Sequence, residues 1–559
     1  MILLRFVAAS AIAVCFISNQ LESLSAADRP NVLLICVDDL KPTLGCYGDA
    51  FAQTPNLDRL AKRGVLFESA YCNQAVCSPS RNALMTSLRP QTLGIYDLPT
   101  HFRLAAPDAL TLPQYFRQQG YRTEGLGKIL HVGHGNHEDD ASWTVPHWRP
   151  KAPSYALAES TSGSKTRPDG RKYGNATENA DVADDFYGDG QIAIEAMKRL
   201  ELAAKSPQEP FFIAVGFLKP HLPFVAPKKY WDRFDPEKLL QPQILSNPEG
   251  APAYAPTSGG ELRSYADMPT TGSIDAATTR HLIHGYYAAT SYTDAQIGRV
   301  LTALDANQLT HNTLVVLWGD HGWHLGDHGM WCKHSNYENA ARIPVIVAGP
   351  KLQQNVTTKA MIESVDIFPT LCSLSGLPIP MGLDGQSFAS VLSGQSKTAR
   401  EHVTHVYPRG DRLGRAIRDN RYRFVEWKVP GDPGVSGSKA NADFELYDYV
   451  NDPLETKNIA GEKPEILAHM KLALSQYPEA KPQMKSKAAA KPAKAVNKNS
   501  SQDRTAMFKK RDLDKDGFLD RDEFLKGQPD PEEAPKRFPK FDVNQDGKLS
   551  EAEFVNSGK

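Results

Sequence analysis

Cysteine is scarce in this chain, with seven residues in 559. Cys15, Cys36, Cys46, Cys72, Cys77, Cys332 and Cys372 follow no repeating spacing, which excludes the dense disulfide framework of small exported domains. Charge of one sign is also lacking. With 64 basic and 65 acidic residues the formal net charge is −1, so no general field holds nucleic acid or an anionic membrane, and any anion must be gripped locally. Long apolar runs are confined to the start, where residues 6–17 follow Arg5 and precede the small residues Ser25, Ala26 and Ala27. That run is too short for a stable membrane span and has the layout of a cleavable secretion signal over residues 1–26, which implies export to the periplasm or the extracellular space.

What is present is a large apolar stock, 41% of the chain, at a length where more than one folding unit is expected. Asn31-Val32-Leu33-Leu34-Ile35-Cys36-Val37 is continuously apolar after its first residue and partly β-branched, the pattern of a strand buried on both faces. Residues 211–217, 313–318 and 343–348 repeat it. The first three of these four runs end close to Asp38-Asp39, Lys219-Pro220-His221 and Asp320-His321. This matters because open α/β sheets bind ligands beyond the carboxyl ends of their strands. Residues 189–202 and 281–304 set apolar side chains at three- and four-residue steps, as helices do, so strands alternate with helices in an α/β core. Residues 151–177 and 241–271, rich in Pro, Gly, Ser and Ala, read as long loops able to wall a cleft.

After residue 400 the pattern shifts to short strand-like pieces at 422–427 and 444–448. Residues 481–499 are dominated by lysine, alanine and proline, with no acidic or aromatic residue, which describes a solvated linker better than a nucleic-acid arm. The expected organisation is a signal at 1–26, a catalytic domain at 27–400, a smaller subdomain at 401–480, a linker at 481–506 and a terminal module at 507–557.

Several segments carry side chains suited to chemistry. Asp38 and Asp39 are adjacent carboxylates at a strand end, costly unless a metal or other cation neutralises them. Asp320-His321-Gly322-Trp323-His324-Leu325-Gly326-Asp327-His328-Gly329 interleaves metal-competent side chains with glycines that permit close backbone approach, and Lys333 follows His321 by twelve residues. Gly127-Lys128-Ile129-Leu130-His131 and Lys219-Pro220-His221-Leu222-Pro223-Phe224 each pair a lysine with a histidine. Cys77 opens the run Cys77-Ser78-Pro79-Ser80-Arg81-Asn82-Ala83-Leu84-Met85-Thr86. Taken alone, Cys77 reads as half of a disulfide or a small buried apolar residue, and each histidine as an ordinary hydrogen-bonded side chain.

Together these segments resemble the formylglycine-dependent sulfatases of the alkaline-phosphatase superfamily, and in particular those related to iduronate sulfatase, over residues 29–480. The resemblance implies a large mixed, mostly parallel sheet flanked by helices, with a smaller C-terminal α+β subdomain. It also implies that a separate maturation enzyme, reading Cys-x-Pro-x-Arg, oxidises Cys77 to an aldehyde. Loss of Cys15 with the signal would then leave five thiols, of which at least one stays free or buried. Asp38, Asp39, Asp320 and His321, with the oxygen of modified Cys77, would hold one divalent ion. Carboxylates suit Ca²⁺, although an imidazole does not favour calcium in particular.

By the same resemblance Lys128, His221 and Lys333 would bind sulfate and protonate the departing oxygen, while Arg81 would orient the nucleophile. The hydrated aldehyde would attack sulfur, and His131 would act as the base that expels sulfate and restores the carbonyl. His324, His328 and His334 are surplus to this set and are assigned structural or substrate-facing roles. One departure is Ser87, where the family commonly places glycine after the threonine; a backbone adjustment is expected there. The implied substrate is a sulfated saccharide or polysaccharide, and a small choline-sulfate-type ester also fits. Two other readings use the same residues: a phosphate mono- or diesterase of the superfamily, and a catalytically silent calcium-loaded glycan-binding protein. The maturation motif around Cys77 argues against the first, and the mass of the peptide containing residue 77 separates the second.

The tail carries two further motifs. Residues 512–523 supply Asp512, Asp514, Asp516, Asp520 and Glu523 at the first, third, fifth, ninth and twelfth places, with Gly517 sixth and Phe518 seventh. Residues 542–553 repeat the plan with Asp542, Asn544, Asp546, Lys548, Ser550 and Glu553 around Gly547. Both match the EF-hand loop, in which the seventh residue contributes its backbone carbonyl, and two Ca²⁺ ions are expected in an α-helical pair. Phe508, Phe524, Phe538 and Phe554 flank the loops as the apolar positions of that pair.

Overall fold

The computed structural model describes residues 29–166, 170, 172–431, 442–484, 499–526 and 534–556. The expected secretion signal and residues 485–498 of the expected linker lie outside them. The chain divides into two compact units, residues 1–484 and 485–559. Among the described residues no helix is long and apolar enough to cross a membrane.

The first unit is built on a nine-stranded sheet. Its strands are β1 (Asn31–Val37), β2 (Gly64–Tyr71), β3 (Arg122–Gly127), β4 (Val145–Trp148), β5 (Phe211–Phe217), β6 (Thr313–Gly319), β7 (Arg342–Ala348), β8 (Val356–Thr358) and β9 (Ile362–Glu363). The order is β8-β2-β7-β6-β1-β5-β3-β4, with β9 also pairing with β2. β6, β1, β5, β3 and β4 run parallel to one another, and β7 is antiparallel to both of its neighbours. All four apolar runs read from the sequence are therefore strands of one sheet. Every residue of β1, β5 and β6 is buried, which is why these strands lack the polar alternation of half-exposed ones.

Side chains still alternate between two cores. Val32, Leu34 and Cys36 pack with Phe212, Ala214, Val316 and Trp318 on one face, together with Leu84 and Met85 of α2 (Cys77–Thr86). Leu33, Ile35 and Val37 face the other way, onto Ile192, Ala196 and Leu200 of α3 (Gly188–Ala204) and Ile297, Val300 and Leu304 of α4 (Ala276–Ala306). The apolar steps of α4 show in the sequence only from residue 281. The helix itself starts five residues earlier, where Asp275 accepts from Thr278 N at 2.9 Å as its N-cap. A short helix labelled α1 (Pro55–Lys62) is tied to α4 by Asp294, which accepts from Leu57 N and Asn56 Nδ2 at 2.8 Å.

The same unit continues into a four-stranded antiparallel sheet, β10 (Val403–Arg409), β11 (Arg412–Arg418), β12 (Tyr422–Lys428) and β13 (Asp443–Asp448). Helix α5 (Pro464–Ser475) buries Met470 and Leu474 against Ile417, Phe424 and Leu446 of that sheet. At the end of α2 the serine that stands where the family commonly has glycine lies in the left-handed region, with φ 54° and ψ 27°. Ser87 Oγ donates to Val365 O at 2.6 Å and accepts from Gly385 N at 3.2 Å, bonds a glycine cannot make.

In the second unit two helix–loop–helix segments meet through a two-residue strand pair, Phe518–Leu519 with Leu549–Ser550. Phe508, Leu519, Phe524, Phe538, Leu549 and Phe554 form its core. A core of this size supplies little folding free energy by itself, a shortfall that bound metal ordinarily offsets in small domains.

Candidate active site

Four parallel strands deliver their polar successors to one edge of the sheet. Val37 is in register with Gly319 of β6 and Phe217 of β5, and Gly127 of β3 with Gly216. Asp38 and Asp39, Asp320 and His321, Lys128, and the segment 218–221 therefore emerge side by side. β2 leads to the same edge and, through a short turn, to Cys77 at the first residue of α2.

Cys77 is buried at this edge. Its Sγ lies 3.4 Å from His321 Nε2 and 3.6 Å from Lys128 Nζ. Burial raises the thiol well above its ordinary pKa and Asp38 adds to this, against the opposing pull of Lys128 and Lys333. As an unmodified cysteine it is therefore protonated at neutral pH and a poor nucleophile.

Arg81, one turn further along α2 and wholly buried, bridges the carboxylates below. Its Nε donates to Asp320 Oδ2 at 3.0 Å and its Nη2 to Asp38 Oδ1 at 3.1 Å, while Nη1 donates to Lys128 O and to Ile129 O. Asp38 also accepts from Lys128 Nζ. Burial alone would raise the Asp38 carboxyl, but Lys128, His221 and Arg81 overcome it and hold Asp38 well below the usual range. Asp39 sits in the left-handed region with φ 60°. Its N–H donates to Asp320 Oδ1 at 2.9 Å and its carbonyl accepts from Tyr286 OH at 2.8 Å, so the backbone is clamped from both sides. Lys333 Nζ reaches both oxygens of Asp39, at 3.1 and 3.2 Å.

The donor set suits a hard divalent ion. Asp38, Cys77, Asp320 and His321 offer ligand atoms that all lie within 4.8 Å of one another, and Asp38, Asp39, Cys77 and His221 do the same. Each set joins two carboxylates, which suit a hard cation, to one imidazole and the Cys77 sulfur. His324 is buried on Ser335 Oγ at 2.9 Å and His328 is bonded to Ser246 O at 3.1 Å; neither joins this cluster.

The remaining sequence-selected residues stand around this centre. His221 places both ring nitrogens against acceptors, Nδ1 at 2.5 Å from Leu222 O and Nε2 at 3.1 Å from Glu261 Oε1. An imidazole so flanked is doubly protonated. Burial would lower its pKa, but Asp39, Asp38 and Glu261 outweigh both that and Lys333 and raise it. His131 makes no hydrogen bond to Cys77; its Nε2 lies 3.1 Å from His134 Nδ1, and its own Nδ1 is buried without a partner. Burial, helped by Lys128 and His134, pushes His131 down to about 2, so it is neutral at physiological pH.

Lys128, His131 and His221 line a cavity of about 560 Å³ together with Asp38, Arg149, Tyr187 and Lys219. Lys219 stands in a segment that the sequence singles out, with no role of its own assigned there, and Glu261 escapes sequence reasoning. Lys219 donates to the carbonyls of His221 and Pro223 at 2.7 and 2.6 Å, holding the His221 turn, and burial lowers it to about 8. Glu261, from the long loop over 241–271, lies 2.8 Å from Lys333 Nζ as well as beside His221. A carboxylate in an aperiodic segment gives no pattern to read, although the expectation that this loop walls a cleft locates it.

The loops of the second unit hold the EF-hand geometry. Gly517 and Gly547 each have φ 85°, and their N–H groups donate to Asp512 Oδ2 and Asp542 Oδ2 at 3.2 and 2.9 Å. Asp512, Asp514 and Asp516 converge as oxygen donors. Glu523 Oε1 and Glu553 Oε1 fold back onto the loop starts, at 2.7 Å from Leu513 N and 3.2 Å from Val543 N.

Comparison with known proteins agrees with this geometry. Residues 30–377 match the family described as Sulfatase, and residues 326–480 the C-terminal family described as N-sulphoglucosamine sulphohydrolase, C-terminal. Residues 504–526 and 536–556 match the EF hand. Iduronate 2-sulfatase of Mus musculus is 34% identical over 514 residues, covering 78% of this chain and 91% of the mouse protein. Among solved structures, one in complex with its substrate D-glucosamine-2-N,6-O-disulfate superposes with a TM-score of 0.63 at 23% identity, over 80% of this chain and 97% of that one. A phosphonate monoester hydrolase from Silicibacter pomeroyi superposes with a TM-score of 0.66 at 21% identity, over 80% and 94%. These two superpositions establish the shared fold alone.

Fold and sequence likeness together define an ester hydrolase built on a mostly parallel sheet. The chain belongs to the sulfatase family and is a sulfuric ester hydrolase carrying a C-terminal EF-hand pair.

Proposed function

We propose that the protein removes sulfate from a sulfated saccharide or polysaccharide, with an aldehyde derived from Cys77 as its covalent centre. One observation carries this reading: Cys77 Sγ, Asp38, Asp320 and His321 form a single buried cluster beside Lys128, at a cavity of about 560 Å³ that also presents His131, Arg149, Lys219 and His221. A cavity of that size takes a sugar ring, and its cationic side chains suit an anionic one. The relationship to iduronate 2-sulfatase supports a saccharide over a small ester. Export by a secretion signal over residues 1–26 and maturation by a formylglycine-generating enzyme belong to the same reading.

The aldehyde, as its hydrate, would supply the nucleophilic hydroxyl; Asp38, Asp39, Asp320 and His321 would hold a divalent ion, Ca²⁺ in this reading, which would supply Lewis acidity toward that hydroxyl and the sulfate. The chain's own residues do the rest. Arg81 fixes Asp38 and Asp320 relative to residue 77. Lys128 and Lys333 provide the ammonium groups nearest Cys77 and Asp39, where the sulfate oxygens are held. His221, doubly protonated, gives its proton to the departing sugar oxygen, alone or with Lys333. His131, neutral and with an unpartnered Nδ1, takes the proton that must leave as the carbonyl is restored. The two EF-hand loops bind two further Ca²⁺ ions and act structurally.

The test is a desulfation screen over defined mono- and disaccharide sulfates. Release from a uronate sulfate with retention of the sugar skeleton is expected. Turnover of phosphate or phosphonate esters with no sulfate release would refute the reading.

A further inference from the structure

The carboxylate of Glu261 lies between the two groups assigned to the departing oxygen, 3.1 Å from His221 Nε2 through Oε1 and 2.8 Å from Lys333 Nζ through Oε2. The three residues come from three separate segments, and two devices bring them together. Gly259 has φ 69°, and a Cβ there would lie 2.9 Å from Trp331 Cβ. Only glycine lets the loop close on the strand that leads to Lys333. From the C-terminal sheet, Arg409 donates to Tyr254 O at 2.8 Å, to Ala255 O at 3.0 Å and to His334 O. One guanidinium thus pins the Glu261 loop to the residue that follows Lys333. Without the Glu261 charge, an ammonium and an imidazolium would face each other with Asp39 as their shared counter-ion, and repulsion would spread them.

We propose that Glu261 is a positioning residue for departure of the alcohol: by engaging His221 and Lys333 at once it holds imidazole and ammonium side by side, aimed at the oxygen that leaves sulfur. This rests on the assignment of His221 and Lys333 given above.

The test compares wild type, Glu261→Gln and His221→Ala on a series of aryl sulfates running from 4-nitrophenyl, whose phenolate leaves unaided, to 4-methoxyphenyl, whose phenolate needs a proton. For Glu261→Gln, kcat/KM is expected to fall less than about threefold on 4-nitrophenyl sulfate and about tenfold or more on 4-methoxyphenyl sulfate, in line with the size of general-acid contributions. Glu261→Asp, which keeps the charge, is expected to recover part of the loss on the poor leaving group. It carries the test in the same way should Glu261→Gln fail to show a cooperative thermal transition. A uniform loss across the series, or none, overturns the proposal. If His221→Ala steepens the leaving-group dependence and Glu261→Gln does not, the positioning role is wrong while the acid assignment stands. If neither steepens it, the acid assignment fails and the proposal falls with it.

Discussion

The Sγ of Cys77 lies 3.4 Å from Nε2 of His321, which places the side chain that the proposed maturation would oxidise against the imidazole of a metal-competent cluster. In the proposed scheme, conversion of that carbon to an aldehyde would add an oxygen donor to a set otherwise made of Asp38, Asp39, Asp320 and the imidazole. Cys77→Ser supplies a hydroxyl at the same place but no second one with which to expel sulfate. A single turnover that leaves residue 77 sulfated is expected, seen as a stable mass increase of one sulfate on its peptide. Sustained turnover by this variant would contradict the scheme.

Arg81 is wholly buried and joins Asp38 to Asp320. Arg81→Ala leaves two carboxylates buried without their shared partner, which costs on the order of 3–5 kcal/mol and also misplaces the nucleophile. A marked fall in the thermal midpoint together with loss of turnover is expected. Arg81→Lys keeps a charge but not the planar fork, so it should recover stability in part and turnover little.

Much of this centre is legible in the sequence, for a physical reason. Strands buried on both faces must be continuously apolar, so β1, β5, β6 and β7 announce themselves, and the topology obliges Asp38, Asp320 and His221 to follow such runs. Other features are not legible. Glu261 acts through contacts with distant segments, on His221 and Lys333, and follows no period. The start of α4 is hidden because its first turn, Ala276-Ala277-Thr278-Thr279, carries no large apolar side chain and is fixed by the Asp275 cap. Ser87 is visible as a departure from the family pattern, yet the compensating bonds come from Val365 and Gly385, nearly three hundred residues away in the chain.

Ser87→Gly tests that compensation. Glycine removes a left-handed cost of about 1–2 kcal/mol. It also leaves Val365 O and Gly385 N without the hydroxyl, at about 1–3 kcal/mol for each buried group left unpaired. The balance runs from about zero to a net loss of about 5 kcal/mol, measured as a thermal midpoint no higher than that of the wild type, with Cys77 still matured. A rise in the midpoint would show that the strain outweighs the bonds.

The raised pKa of His221 fixes the sign of one pH effect. Burial lowers it, and Asp39 and the other carboxylates more than reverse this. The imidazolium therefore persists above the ordinary histidine value near 6.5, and it is lost only as pH rises through the raised one. With a poor leaving group, kcat/KM should hold through about pH 6.5 and fall on the alkaline side. His221→Ala should abolish that limb while lowering the plateau; an unchanged limb would assign it to another group.

Metal content separates the two units. Three Ca²⁺ per chain are expected, one at the Asp38 cluster and two in the EF-hand loops. Chelation should abolish hydrolysis and added Ca²⁺ restore it. Glu523→Gln, which removes the twelfth ligand of the first loop, should reduce the calorimetric stoichiometry to two with turnover unchanged, because every residue assigned to catalysis lies before residue 485.

The most direct measurement is the mass of the peptide containing residue 77, taken from protein made in its natural host and paired with the rate of sulfate release by the same preparation. An aldehyde in place of the thiol, in proportion to activity, is the expected result. An intact cysteine in fully active protein would contradict the account.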